Sequence, residues 1–340
     1  MTERKRAFIT GITGQDGFYL AEFLLNKGYE VGGFVRSSST GHLGNVERLR
    51  GDIRFFRGDL GDERSIEAAI SEFIPDEIYN LGAEAAPAES FKRKVYTADI
   101  NALGAIRVFE STLRLRSRGH DVRVYQASSS EMYGEPKEIP QDENTPFKPN
   151  NPYGTQKHMA HDNARILREG DDKLFVSCGI LFNHESPRRG PQYVTRKVSI
   201  AVACIENKVK NPPLNEEGVP IVTRDWKLHM GNLHPKRDWG YAPLYVPAMW
   251  SMLQQDEPDV YVIATGETHT IEELVDIAFR HVGRDWKDHV VKDPRFIRPL
   301  ETGPLCGNPA KAREKLGWEY DYPFEKLVKT MVDSDLALFS

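Results

Sequence analysis

Short apolar runs alternate with amphipathic segments through the first half of the chain. The first run starts at residue 7 and passes through three glycines into a segment of helical periodicity that ends near residue 25. Comparable apolar runs lie at 29–35, 53–57, 77–81, 122–126 and 175–182, and helical periodicity lies at 63–73, 97–115 and from 151 onward. Short apolar runs predict buried strands, whereas apolar residues spaced about three to four apart predict helices. The alternation predicts an α/β fold with a Rossmann-type doubly wound parallel sheet.

The alternation weakens after residue 182. Helices are expected at 194–207, 245–253, 271–280 and 308–316, with one strand at 260–264 and a proline-rich, charged stretch at 208–227. A chain of 340 residues exceeds the usual size of one hydrophobic core. We therefore predict a Rossmann domain at 1–182 and a smaller C-terminal α/β substrate domain at 183–340, of which 241–264 could return to the first domain.

Three glycines, Gly11, Gly14 and Gly17, follow the first apolar run. Gly11 permits a sharp turn, Gly14 lets a ligand approach the backbone, and Gly17 lets a helix pack on the strand. An ordinary glycine-rich turn is the alternative, but the position between a strand and a helix favours a dinucleotide fingerprint, with backbone amides facing a pyrophosphate. The predicted cofactor contacts of this loop are Gly11, Thr13, Gly14, Gln15, Asp16 and Gly17.

The end of the second strand indicates which dinucleotide binds. An acidic residue there would accept hydrogen bonds from the ribose of NAD, whereas arginine followed by hydroxyl residues suits the extra phosphate of NADP. The chain has Arg36 and Ser37 and no acid there, so we predict NADP, with a solvated loop charge as the alternative for Arg36. The other predicted cofactor contacts follow the third and fourth strands and are Asp59, Leu60, Leu81 and Ala83.

Tyr153 and Lys157 lie four residues apart at the start of a predicted helix, so both project from one face. A nearby ammonium stabilises a phenolate and is expected to lower the pKa of Tyr153. Ser129, after the fifth strand, could bind the same substrate oxygen while Tyr153 takes its proton and a nicotinamide takes the hydride. A chance helical pair is the alternative, and the cofactor fingerprint upstream favours the catalytic interpretation.

Composition narrows the class of protein. Hydrophobic residues make up 39% and charged residues 28% of the chain, as in ordinary globular proteins. A net charge of -5 disfavours nucleic acid or an anionic membrane as the main partner. The cysteines, Cys178, Cys204 and Cys306, are widely spaced, which indicates neither a disulfide framework nor a metal site. Because no apolar run reaches membrane-spanning length, we expect a cytoplasmic protein.

Arginines in the second half suit a diphosphate, because the guanidinium presents a fixed fork of donors. Individually each is an ordinary surface charge, but together they could clamp a nucleotide sugar. They are Arg188, Arg196, Arg237 and Arg298. His184, in the same region, receives no role.

Longer motifs extend over nearly the whole chain. They are GITGQDG at 11–17, VRSSS at 35–39, YQASSSEMYG at 125–134, GILFNHESPRRG at 179–190, VTRK at 194–197, RDWGYA at 237–242, VIATGETHT at 262–270, DPRFIRPLE at 293–301 and GNPAKAREKLGW at 307–318. With these motifs the chain resembles the extended short-chain dehydrogenases/reductases and, within them, the GDP-mannose 4,6-dehydratase family.

The resemblance implies an internal redox dehydration of a GDP-sugar, GDP-mannose above all, with bound NADP and a 4-keto-6-deoxy sugar as product. Tyr153, Lys157 and Ser129 would act at C4. Glu131 would remove the C5 proton and help the C6 hydroxyl leave, and a structural carboxylate is its alternative. The implied substrate contacts are Glu84, Ser130, Asn183, Glu185, Arg188, Val194, Lys197, Arg237, Arg298 and Glu301. The resemblance also implies a homodimer or homotetramer.

Three departures from the family pattern change the expectation. Ser129 stands where the family usually has threonine, and Ser37 where it tends to have a second arginine. Residues 82–87 read GAEAAP where the family usually reads AAQSHV. The changed loop is compatible with a different sugar or shifted redox chemistry, so an epimerase, 4-dehydrogenase or reductase on the same scaffold is the second hypothesis. A catalytically silent NADP-binding protein is the third, and the intact Ser129, Glu131, Tyr153 and Lys157 set argues against it.

Overall fold

The computed structural model describes residues 4–36, 43–215, 218–296 and 303–340. Its strands are β1 (Arg6–Thr10), β2 (Glu30–Val35), β3 (Ile53–Arg57), β4 (Glu77–Asn80), β5 (Arg123–Ala127), β6 (Val176–Leu181), β7 (Asn183–Glu185), β8 (Leu228–Met230), β9 (Lys236–Arg237), β10 (Trp239–Tyr241), β11 (Val260–Ile263), β12 (His269–Thr270) and β13 (Val290–Lys292). Its helices are α1 (Gln15–Asn26), α2 (Glu63–Phe73), α3 (Pro87–Ser90), α4 (Lys94–Ala98), α5 (Gly104–Ser117), α6 (Pro152–Glu169), α7 (Val194–Glu206), α8 (Ala242–Met252), α9 (Ile271–His281), α10 (Ala310–Leu316) and α11 (Phe324–Leu338). A π-helical segment, Asp99–Leu103, joins α4 to α5.

Seven parallel strands form the central sheet in the order β11-β6-β5-β4-β1-β2-β3. The chain builds outward from β1 to β3 on one side and then crosses to β4 on the other. The strand order therefore reverses between β1 and β4, and open parallel sheets bind ligands beyond the strand ends at such a reversal. The predicted doubly wound parallel sheet is confirmed.

Helices cover both faces of this sheet. In β1, Ala7 and Ile9 belong to the core beneath α1 and α8, whereas Phe8 belongs to the core beneath α2, α5 and α6. Successive side chains of a strand point to opposite faces, so a strand buried on both faces must be apolar throughout. This requirement explains the short unbroken apolar runs of the sequence.

The second half of the chain packs a core of its own among α7, α9 and α11. Two parallel pairs, β7 with β10 and β8 with β13, and the antiparallel pair β9 with β12 lie outside the central sheet. Strand β11 pairs with β6 at one edge of the central sheet. Within the described ranges, no helix combines the length and the apolar character that crossing a membrane requires.

Local capping explains where helices α6 and α9 begin. Asn151 precedes α6 and its Oδ1 accepts a hydrogen bond from the Gly154 amide at 2.8 Å, while Pro152 occupies the first turn. Thr270 and Glu273 form a reciprocal capping box at the start of α9. Such caps satisfy amides that have no partner within the helix.

Candidate active site

The glycine loop between β1 and α1 has the tight geometry that its spacing predicts. Gly11 has a φ of 70°, and a Cβ there would lie 2.8 Å from the Gly82 backbone. A Cβ at Gly17 would lie 2.4 Å from the Ile12 Cα, so only glycine lets α1 approach β1 this closely. Gly14 is exposed and caps α1. The loop thus presents the start of a helix at the carboxyl edge of the sheet.

Side chains of the first turn of α1 hold this loop against β7. The Gln15 amide donates to the His184 carbonyl at 3.0 Å and accepts from the Ser186 hydroxyl at 2.7 Å. His184 Nε2 lies 2.8 Å from an Asp16 carboxylate oxygen, and its Nδ1 lies 2.7 Å from the Phe182 carbonyl oxygen. The predicted cofactor residues Gln15 and Asp16 therefore carry protein partners, and His184, which received no role, supplies a partner to each.

The charges of this pair reinforce each other. Burial alone would raise the pKa of Asp16, but the charge and hydrogen bond of His184 outweigh it and lower the pKa to about 2. Burial opposes the charged form of His184, yet Asp16 raises the pKa of the imidazole above its ordinary value. With His184 protonated, the two groups form an ion pair between α1 and β7.

Residues predicted to hold the adenosine end of the cofactor lie beyond β2 and β3. Arg36 Nη1 donates to the Tyr96 hydroxyl at 3.1 Å. Asp59 Oδ1 accepts from the Gly61 amide at 2.8 Å, and Leu60 is buried. Leu81 and Ala83, after β4, are half-buried, and Ser37 lies outside the described residues.

Tyr153 and Lys157 face the end of β5 from the first turns of α6, and both are buried. Lys157 Nζ donates to the Ala127 carbonyl at 2.9 Å and lies 5.9 Å from the centre of the Tyr153 ring. Burial raises the pKa of Tyr153, and a hydrogen bond with Ser129 opposes the shift only in part. This direction is opposite to the one predicted from Lys157. Burial also lowers the pKa of Lys157, to about 8.

Glu131 is connected directly to the helix that carries Tyr153. Its Oε2 accepts from Asn151 Nδ2 at 2.8 Å, and Asn151 also caps α6. The Ser129 hydroxyl accepts from the Glu131 amide at 3.2 Å, and Ser130, between them, is buried. The four predicted catalytic residues thus lie around one short turn after β5 and the start of α6.

A row of polar side chains, Thr10, Asn80 and Gln126, runs across the central strands towards Lys157. Register places Asn80 opposite both Thr10 and Gln126. Thr10 donates to Asn80 at 2.7 Å, Asn80 to Gln126 at 2.8 Å, and Gln126 to the Ala127 carbonyl at 3.1 Å. That carbonyl is the acceptor of Lys157. This polar row was not predicted, although polar residues inside apolar strands were its signal in the sequence.

Glu185, a predicted substrate contact, is buried and tied to its surroundings. It accepts from the Thr195 hydroxyl at 2.6 Å and lies 3.1 Å from Arg189 Nε. The Arg189 guanidinium lies 3.6 Å from the centre of the Tyr193 ring, and its charge also acts to lower the pKa of Tyr153. The sequence led us to predict a role for the adjacent Arg188, whereas Arg189 is the arginine whose charge acts on Tyr153.

The other predicted substrate contacts are distributed over the second half. Lys197 donates to the His229 carbonyl at 2.7 Å and lies 3.9 Å from the centre of the Phe296 ring. Asn183 begins β7, Val194 begins α7, and the buried Arg237 ends β9. Arg298 and Glu301 lie outside the described residues.

Two arginines of the predicted diphosphate clamp make other contacts. Arg188 lies 3.7 Å from the centre of the Phe18 ring on α1. Arg196 pairs with the buried Asp335 of α11 at 2.6 Å and donates to the Pro187 carbonyl. Arg196 thus already neutralises a buried carboxylate, and breaking this ion pair would leave that carboxylate without its charge partner. Its place in the diphosphate clamp stays a prediction.

The divergent loop 82–87 is held by contacts within the first half. Asn101 bonds both backbone groups of Glu84, at 2.7 and 3.0 Å. Glu84 Oε2 lies 3.1 Å from Arg93 Nη1. The predicted sugar contact of Glu84 therefore competes with an ion pair inside the protein. Among the described residues, no group of three or more His, Cys, Asp or Glu side chains could hold a metal ion.

The chain is similar in sequence to known dehydratases. A model of the GDP-mannose 4,6 dehydratase family matches residues 8–331. GDP-mannose 4,6 dehydratase 1 of Arabidopsis thaliana is 45% identical over 98% of this chain and 91% of its own length. The Homo sapiens GDP-mannose 4,6 dehydratase is 43% identical over 98% of this chain and 92% of its own length.

A solved structure supports the fold. The UDP-glucose 4-epimerase of Thermus thermophilus, solved with NAD, superposes with a TM-score of 0.80 at 24% identity, over 97% of this chain and 98% of that one. The family model and the two dehydratases match nearly the whole chain, so the chain belongs to the GDP-mannose 4,6-dehydratase family.

Proposed function

We propose that the protein is a GDP-mannose 4,6-dehydratase that converts GDP-mannose to GDP-4-keto-6-deoxymannose. The observation that carries the proposal is the joining of Glu131 to the Tyr153 helix through Asn151. This contact would hold a base for C5 beside the tyrosine and lysine that would act at C4. Redox chemistry confined to C4, as in a 4-epimerase or a 4-reductase, needs no base at C5.

We also propose that the cofactor is NADP. The glycine loop fits a dinucleotide pyrophosphate, because side chains at Gly11 and Gly17 would collide with backbone and the exposed Gly14 precedes a helix start. Arg36 would bind the 2′-phosphate that distinguishes NADP from NAD. When bound, the nicotinamide would accept the hydride of C4 and return it to C6.

At C4, Tyr153 would remove the proton of the sugar hydroxyl. Burial favours its neutral form, so the phenolate needs positive charge nearby. Lys157 lies 5.9 Å from the ring centre, and the charge of Arg189 also lowers the pKa of Tyr153. Ser129 would share a hydrogen bond with the same sugar oxygen.

At C5, the new ketone would acidify the ring proton, and Glu131 would remove it. The same carboxyl group would then donate that proton to the departing C6 hydroxyl, which leaves as water. As the hydride returns to C6, C5 would take up a solvent-exchangeable proton, which balances the proton that Tyr153 removed from the C4 hydroxyl. Asn151 would orient the carboxylate without adding charge, since an amide donates a hydrogen bond to either oxygen. Groups of this kind typically contribute about a hundredfold to ten-thousandfold.

The quaternary arrangement that the resemblance implies, a homodimer or homotetramer, is part of the proposal. Large apolar side chains on α6 support an interface there, since Met159 and Ile166 are 43% and 55% exposed. Sedimentation would measure the assembly. A monomer at enzyme working concentration would contradict it.

To test the function, the pure protein is incubated with GDP-mannose and a catalytic amount of NADP+, and the mass of the product is measured by mass spectrometry. A product lighter by one water, formed without net cofactor reduction, is expected. Tyr153→Phe is the matched control and should form none. Binding of the sugar nucleotide without loss of water, or conversion to an isomer of equal mass, would contradict the proposal and favour an epimerase.

A further inference from the structure

Two arginines from different parts of the first half converge on one tyrosine. Arg36, after β2, donates to the Tyr96 hydroxyl at 3.1 Å. The Arg93 guanidinium lies 4.1 Å from the centre of the Tyr96 ring. We propose that Arg93 joins Arg36 across Tyr96 to bind the 2′-phosphate of the dinucleotide. This inference rests on the proposed use of NADP.

Tyr96 lies beside a residue predicted to hold the adenosine end of the cofactor, because Arg36 donates to its hydroxyl. The segment that follows it packs on the end of β3, because Arg107 donates both to the Leu60 carbonyl and to the Asp99 carboxylate, at 2.8 and 2.7 Å. Asp59 and Leu60, the residues predicted to line the adenine, therefore lie next to the helical segment that carries Tyr96. A ribose between β2 and this segment would direct its 2′-oxygen towards the two arginines.

The chemistry of this arginine pair suits a phosphomonoester. A monoester carries a charge of about -1.5 to -2 near neutral pH and offers three acceptor oxygens. Each guanidinium provides a planar fork for two of those oxygens. The Tyr96 hydroxyl accepts from Arg36 and keeps its own proton to donate. One arginine alone would neutralise only part of the charge.

Glu84 is the counterion of Arg93 in the free protein. Their separation is 3.1 Å, and the Arg93 side chain is 51% exposed. Ion pairs this exposed contribute little, so the guanidinium can turn to a phosphate at small cost. Glu84 thereby acts on cofactor binding as a competing anion. This gives the divergent loop a role at the phosphate end of the site.

Lys92 provides a matched control. It carries the same charge, lies beside Arg93, and pairs with Glu89 at 2.9 Å. Its ammonium is thus directed to Glu89, whereas the Arg93 guanidinium stacks on the Tyr96 ring. A specific phosphate site should therefore respond to Arg93 and not to Lys92.

The test is isothermal titration of the full chain with 2′,5′-ADP and with 5′-AMP, which differ only in the 2′-phosphate. Arg93→Gln should weaken binding of 2′,5′-ADP about tenfold or more and leave 5′-AMP within about twofold. Lys92→Gln should change neither ligand by more than about twofold. Glu84→Gln should tighten 2′,5′-ADP, because the competing carboxylate is removed. Thermal melting checks that each variant is folded, and Arg93→Lys, which keeps the charge and loses the fork, should bind 2′,5′-ADP with intermediate affinity.

Failure of this inference can be distinguished from failure of the NADP proposal. If the unmodified protein prefers 2′,5′-ADP and Arg93→Gln keeps that preference, or if Lys92→Gln weakens binding equally, the inference is wrong and the NADP proposal stands. If the unmodified protein binds both ligands equally, both the NADP proposal and the inference are overturned.

Discussion

His184 Nε2 lies 2.8 Å from Asp16 Oδ2 and so ties strand β7 to the first turn of α1. The imidazole also stacks on Tyr245, with ring centres 4.7 Å apart. This contact joins the glycine loop of the first half to the strand from which the second half begins. The position of the predicted cofactor loop therefore depends on a residue about 170 positions further along the chain.

The Asp16–His184 pair should give stability a defined pH dependence. The pKa of Asp16 is lowered to about 2, so its contribution is present above the unfolded pKa of 3.8 and is lost as pH falls through 2. The pKa of His184 is raised above 6.5, so its contribution is present below that pH and is lost as pH rises through the raised value. Asp16→Asn should cost about 2 kcal/mol near pH 5 by urea unfolding, and less in stronger acid.

The control for this prediction is Glu22→Gln on the same helix. Glu22 pairs with Arg48, but both side chains are substantially exposed, so its removal should change the free energy of unfolding by less than about 1 kcal/mol. Equal and pH-independent effects of the two substitutions would show that Asp16 does not act through His184.

Lys157 is predicted to reduce stability at neutral pH while serving catalysis. Burial lowers its pKa from 10.5 to about 8, so the folded protein bears the cost of a buried ammonium below pH 8. That cost disappears as pH rises from 8 to 10.5, because both states then hold the neutral amine. Lys157→Met should therefore raise the free energy of unfolding by about 2 to 3 kcal/mol near pH 7 and abolish turnover.

The difference in the free energy of unfolding between Lys157→Met and the unmodified protein should disappear above about pH 10. Lys148→Met, at an exposed lysine paired with Glu135, should change stability by no more than about 0.5 kcal/mol. A destabilised Lys157→Met protein would mean that the bond to the Ala127 carbonyl outweighs the burial of the charge.

Asn80 should be essential for stability although it touches no substrate. Asn80→Ala leaves the buried Thr10 and Gln126 groups without their partners, and each such group costs about 1 to 3 kcal/mol. A loss of about 2 to 4 kcal/mol is expected by denaturant unfolding. Asn163→Ala removes an exposed amide on α6 and should cost less than about 0.5 kcal/mol. If the two variants lose stability equally, the hydrogen bonds of the polar row contribute no more to stability than a hydrogen bond at the surface.

Glu131→Gln should separate the two halves of the reaction. The amide keeps the shape of the side chain but cannot remove a proton, so dehydration should slow about a hundredfold to ten-thousandfold. Oxidation at C4 should continue, and transient absorbance of reduced cofactor should become visible. Glu135→Gln, at an exposed carboxylate paired with Lys148, should behave as the unmodified enzyme. Normal dehydration by Glu131→Gln would refute its role as base.

Much of the fold was predictable because parallel strands have a simple signature. The predicted bounds of β3 and α2 agree with the structure, and α6 begins directly after Asn151, which caps it. A single helix predicted at 97–115 was wrong in detail, because the π-helical turn Asp99–Leu103 interrupts it. An extra residue in a turn shifts the register of a helix without removing its apolar spacing, so periodicity does not show it. The C-terminal helix α11 was not predicted.

The candidate site was predictable where strand ends converge and not where partners come from distant segments. Ser129, Tyr153 and Lys157 follow from the strand–helix alternation and from spacing on one helix face. Arg93 and Arg189 each lie within a run of charges, and nothing local distinguishes the arginine that meets a tyrosine from its neighbours. Their positions depend on tertiary packing, as the contacts with Tyr96 and Tyr193 illustrate.

The proposed reaction transfers hydride within the sugar from C4 to C6 with loss of water. Deuterium placed at C4 of the substrate follows this transfer. GDP-mannose carrying deuterium at C4 is incubated with the protein and catalytic NADP+, and the product is examined by mass spectrometry and NMR. We expect a product lighter by one water, with the deuterium at C6 and solvent hydrogen at C5. Deuterium that is lost from the sugar, or that stays on accumulated reduced cofactor, would contradict it.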